Sequence, residues 1–210
     1  MNVDSTLPRD VTSRGGVDRA TATAVALALL VWGASATALT WHGLPRRVAP
    51  PVIVGALVAA QLAAIALLPR LRSLLGALDP RVLVLPHAVR LVGLWFLVLW
   101  RRGELPFGFA VPGGTGDLLV AIGALFIAWA AIPVTTRARH VAFIAWNVLG
   151  LLDLTVVVTT AMHFVRSTPA SLEPLRHFPL VLLPTFVVPL LIVSHLVLLV
   201  RLLGRTSSTR

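Results

Sequence analysis

Polar and apolar positions along the chain alternate in long blocks. Apolar runs of span length cover 21–41, 48–68, 82–100, 141–162 and 179–203, with a shorter one over 117–132. About twenty apolar residues cross a bilayer as one helix. The runs therefore predict an all-α, polytopic transmembrane helical bundle of about six spans. The stretch PRLRSLLGALDPR (69–81) differs. Leu71, Leu74, Leu75 and Leu78 recur at helical spacing among Arg70 and Arg72, which predicts a short amphipathic interfacial helix over 70–79. A simple loop cap is the alternative. Residues 1–20 are polar, with Pro, Gly and mixed charge, and read as a disordered cytoplasmic tail. A second short tail covers 204–210. The run at 21–36 also resembles a signal peptide, but it continues apolar to Trp41, which favours an uncleaved first helix.

Two segments break the pattern. Residues 103–117 (GELPFGFAVPGGTGD) are rich in Gly and Pro, yet Leu105, Phe107, Phe109 and Val111 are too apolar for a water-exposed loop. The 117–132 run spans only roughly 24 Å at 1.5 Å per residue, short for a bilayer of about 30 Å. A Gly/Pro-rich re-entrant or interfacial segment before the fourth span would account for both. Ordinary helix capping is the alternative, with Thr115 as the N-cap and Asp117 in the first turn. The last run carries Pro179, Pro184 and Pro189 at intervals of five, which predicts kinks or a broken helix with freed carbonyls that need partners. Pro86 predicts a kink in the third span.

Composition sharpens this picture. The chain has 210 residues, 57% hydrophobic and 12% charged. Net charge is +10, and every one of the 18 basic residues is arginine. The arginines are dealt out to all the loops, with no basic helix face, so nucleic acid is not an expected partner. They fit span flanks near lipid headgroups instead. With six spans, eleven arginines fall on the side of the N-terminal tail and six on the other. The positive-inside rule then puts both termini in the cytoplasm. The six tryptophans mostly fit interfacial belts. With no cysteine, disulfides, thiolate metal sites and iron–sulfur clusters are excluded.

The candidate chemistry lies inside the spans. Arg90 and Asp153 are each a lone charge near the middle of an apolar run, and such charges face a partner or a cavity rather than lipid. They are expected to pair. His87, Asn147 and His195 each lie roughly 9–12 Å in from one membrane edge by helical rise, on three different spans. His87 and Arg90 share a face, as do Asn147, Gly150 and Asp153. The candidate substrate or ion-site residues are thus His87, Arg90, Asp117, Asn147, Asp153 and His195, placed between spans three, five and six. No catalytic residue and no metal set is assigned.

The strings PHAVRLVGLWF, GELPFGFAVPGGTGDLL, WNVLGLLDL and LPTFVVPLLIVSH together resemble a group of small uncharacterised bacterial multi-pass membrane proteins. The resemblance covers about residues 82–200 and implies no activity, cofactor or ligand.

Four functions are open at this point. A small transporter or channel-like protein would use the polar centre as its site, with Arg90 holding a substrate and the histidines relaying protons. As a transporter, six spans would call for a homodimer, whereas a structural or accessory membrane subunit would use the polar centre as interhelical glue. A haem-binding electron carrier would ligate iron through His87 and His195. A membrane enzyme is the least supported, because no nucleophile or metal-binding motif is present.

Overall fold

The computed structural model describes residues 19–41 and 48–206. The expected tails over 1–20 and 204–210 lie largely outside these, as do Arg46 and Arg47. All regular structure among the described residues is helical. Six helices are long and apolar enough to cross a membrane: Arg19–Thr40, Pro50–Leu67, Pro80–Arg101, Phe107–Ala131, Arg137–Ser167 and Leu183–Gly204. We number these spans one to six. Between spans two and three lies the short helix Pro69–Ala77, with Leu74 buried.

Span four differs from the sequence expectation. Residues 107–116 do not re-enter; they form the first turns of a continuous helix, Phe107–Phe126. Span three ends at Arg101, Gly103 with a φ of 74° turns the chain just beyond it, and only residues 102–106 connect the two spans. Glycine takes this left-handed geometry without Cβ strain. The apolar side chains that looked out of place in a loop are therefore span residues, and Leu105 and Phe109 are core. Glycine is unfavourable in a water-exposed helix but common in a membrane one, where it lets neighbours approach. Thr115 is accordingly not an N-cap: its hydroxyl donates back to Val111 O at 2.7 Å.

Span three is also irregular. Its middle, Leu85–Val92, is a 3₁₀ helix with Pro86 at its second position. Three residues per turn place i and i+3 directly in line. The buried positions follow that period along the whole span: Val84, His87, Arg90, Gly93, Phe96 and Leu99.

Span six starts later than expected, in a wide turn over Leu183–Val187 that precedes the helix Val188–Thr206. Pro189 has no N–H to give to the carbonyl four residues back, which is Thr185. Trp32 of span one supplies the missing donor, its Nε1–H bonding Thr185 O at 3.1 Å, and its ring lies edge-on to Phe186. Span one is otherwise the most peripheral of the six. Replacing Trp32 with Phe keeps the ring and removes the donor. We expect a loss of about 1–3 kcal/mol, the cost of stranding a buried carbonyl, read as a lower unfolding midpoint in nanodiscs. An unchanged midpoint would mean that water or lipid satisfies Thr185.

Three flanking arginines serve backbone carbonyls as well as span edges. Arg81 donates to Ala128 O and Ile132 O at the end of span four. Arg201 donates to Leu75 O and Leu78 O, fastening Pro69–Ala77 to span six. Arg176 donates to Val48 O just before span two. Arg81 and Arg201 thus sit at helix C-termini, where unpaired carbonyls concentrate.

The apolar core falls into two clusters. One gathers Val84, Val120, Phe143, Trp146 and Leu198, and the other Phe96, Phe109, Ala161, Leu172 and Leu175. Along spans three to six, the polar candidates lie between these two clusters.

Candidate functional site

The six candidate residues come together in one buried column. At its centre Arg90 is held between two carboxylates. Its Nε donates to Asp117 Oδ1 at 2.6 Å and its Nη2 to Asp153 Oδ2. Nη1 reaches Gly150 O at 3.4 Å. The expected Arg90–Asp153 pair is present. The second carboxylate is the surprise, because the sequence put Asp117 at the membrane surface. Once 107–116 is helical, Asp117 lies three turns into span four, at the depth of Arg90. The centre therefore joins spans three, four and five, and span six enters only through the histidine layer.

That layer sits next to the centre, towards the end of the bundle that holds Arg81 and Arg201. His195 Nδ1 meets Asn147 Oδ1 at 2.7 Å, while Asn147 Nδ2 donates to His195 O at 3.0 Å. The Asn oxygen can only accept, so His195 carries its proton on Nδ1. Ser194 donates its hydroxyl to Leu191 O at 2.9 Å, and so accepts from His87 Nε2 at 2.8 Å. His87 thus carries its proton on Nε2. Both rings are left with an unprotonated nitrogen, His87 Nδ1 and His195 Nε2, that is fully buried and has no hydrogen-bond partner among the described residues. The rings lie 4.1 Å apart, centroid to centroid, with Trp146 against both. Trp146 is thereby a core residue rather than part of an interfacial belt, its Nε1 donating to Val120 O at 3.0 Å.

This spacing does not fit the haem reading. An iron held between two imidazoles by bonds of about 2 Å separates the ring centroids by about 6 Å. Here the rings touch. Among the described residues no group of three or more His, Cys, Asp or Glu could hold a metal.

Glycines make the convergence possible. A Cβ on Gly93 of span three would lie 2.5 Å from Gly114 O, and one on Gly114 would lie 2.6 Å from Gly93 O. Spans three and four meet backbone to backbone there. A Cβ on Gly116 would fall on the Asp153 carboxylate, and one on Gly150 on the His195 ring. Gly123 likewise leaves room for Trp146. The GGTGD string is thus the surface that lets spans three and five close on the ionic centre. Sequence reasoning noticed Gly150 but missed the others, and it missed Ser194. The available signal was small residues spaced along apolar runs beside the polar ones.

The other end of the column opens differently. Asp117 and Arg90 floor an apolar cleft of about 60 Å³, walled by Val54, Phe96, Phe109, Leu154, Val157 and Leu191. The cleft runs away from the histidine layer, towards Pro50 and Leu175.

A family model described as "Domain of unknown function (DUF8737)" matches residues 47–203. The chain belongs to this family. The DUF8737 match takes in spans two to six and all six candidate residues, and leaves span one outside. No curated protein and no solved structure matches the chain.

Proposed function

We propose that the protein is a small proton-linked membrane transport protein whose proton site is the Arg90–Asp117–Asp153 centre. One observation carries this reading: a single buried guanidinium faces two carboxylates, Asp117 buried and Asp153 half-buried. Fully ionised, the three groups sum to one negative charge. An uncompensated charge is costly inside a bilayer. The centre is completed by one proton or one small cation, and a site that needs one mobile positive charge is suited to exchange it. Arg90 then serves to hold the carboxylates, rather than to bind an anionic substrate.

The histidine layer supports the same reading. Its two bare imidazole nitrogens are proton acceptors adjoining the centre, and Gly150 links layer and centre, lying against the His195 ring while its carbonyl meets Arg90. They line the half of the column that the arginine count assigns to the cytoplasm of a bacterial inner membrane. The apolar cleft lies on the opposite side. The accessory-subunit reading treats the same groups as a static ion pair, and infrared spectroscopy separates the two. In proteoliposomes titrated through the neutral range, we expect a protonated-carboxyl stretch. It should disappear in the Asp117→Asn, Asp153→Asn double variant. A centre with both carboxylates ionised throughout would be a fixed structural pair, and the transport reading would fall.

A further inference from the structure

The cleft and the charge deficit meet at one side chain. Asp117 gives Oδ1 to Arg90, while its Oδ2 has no hydrogen bond among the described residues. Among the described residues it is also the only carboxylate that lines the cleft. Asp153 is outside that lining, bonded to Nη2 and packed against Gly116. A molecule in the cleft therefore meets apolar walls along its length and one underneutralised carboxylate at its end. A neutral hydrocarbon chain would gain the walls and leave the charge uncompensated. An anion would add to the excess.

We propose that the cleft binds a single-chain lipophilic ammonium ion, with its head on Asp117 and its tail along the apolar walls. The proposal extends the transport reading, because it rests on the same deficit of one positive charge. The head takes the place of the proton. A cleft of about 60 Å³ has room for a few water-sized groups, which suits a compact ammonium or methylated ammonium head. Its N–H groups would donate to Asp117 Oδ2, and the chain would leave along the open side of the cleft.

The experiment uses the full chain in nanodiscs of zwitterionic lipid, titrated calorimetrically with octylammonium chloride and, separately, with octan-1-ol. We expect octylammonium to bind at least about tenfold more tightly than the alcohol, since tenfold corresponds to only about 1.4 kcal/mol. The protonated-carboxyl band should fade as it binds. Asp117→Asn should abolish the preference. Val158→Trp, which adds bulk to the apolar wall of the cleft, should weaken binding while keeping the carboxyl band of the ligand-free protein. Equal binding of the two probes would overturn the proposal and make the cleft a lodging for lipid chains. Full preference in Asp117→Asn would overturn it too. Selective binding by a protein that shows no carboxyl band would uphold the ammonium site and refute the proton site. A carboxyl band that octylammonium leaves untouched would do the reverse.

Discussion

Arg90→Leu should be the most damaging single substitution in the chain. It strands two carboxylates facing each other in the core, and removing one partner of a buried ion pair costs about 3–5 kcal/mol. We expect little monodisperse protein to survive detergent extraction. Asp117→Asn and Asp153→Asn should each be milder, because Arg90 keeps one carboxylate and the centre becomes neutral. The combinations discriminate further. Arg90→Leu with Asp153→Leu leaves Asp117 alone and buried, so it should recover only part of the loss. Adding Asp117→Leu should recover most of it, since an all-apolar replacement of a buried ionic cluster is close to neutral. Size-exclusion recovery and unfolding midpoint are the readouts. If the double variant is as stable as the triple, Asp117 is not coupled to Arg90, and the charge argument for the site is lost.

Gly93→Ala should rank next. Its new methyl would meet the Gly114 carbonyl at 2.5 Å, and backbone on both sides cannot swing away as a side chain would. Forcing extra volume into a packed core costs about 1–3 kcal/mol. Because the two helices would separate where Arg90 and Asp117 pair, the variant should also alter the carboxyl band. Gly55→Ala and Gly76→Ala are the controls: nothing lies within 4 Å of either new methyl. They should be neutral or slightly stabilising, since Ala is the better helix former. Thermal unfolding of the four proteins, wild type included, gives the ranking. A Gly93→Ala midpoint equal to that of Gly55→Ala would show that the backbone contact is not a constraint.

The bundle was legible because length and hydropathy decide whether a helix crosses a bilayer, and neither depends on tertiary contacts. The Arg90–Asp153 pair was legible for a related reason: two lone charges in apolar runs have few places to go but each other. Asp117 was misplaced because Gly108, Pro112, Gly113, Gly114 and Gly116 read as a loop in aqueous terms. Their meaning depends on which helices press against them, and that is information the segment itself does not hold. Moving the start of span four back by ten residues carried Asp117 from the surface to the centre of the membrane. The tautomers of His87 and His195 were beyond the sequence for the same reason, since each is set by a hydroxyl or amide from another span.

The 3₁₀ stretch of span three has a mechanical side. Eight residues rise about 2.0 Å each in this form against 1.5 Å in an α-helix, so Leu85–Val92 holds the span about 4 Å longer than α geometry would. The same form keeps His87 and Arg90 in line. Rewinding it to 100° per residue would turn one against the other by about 60°, swinging the guanidinium off its carboxylates as the span shortened. Grip on the two aspartates and length of the span are therefore one degree of freedom. A molecule that loosens the grip at mid-membrane also relaxes a stretched rod that ends at the surface.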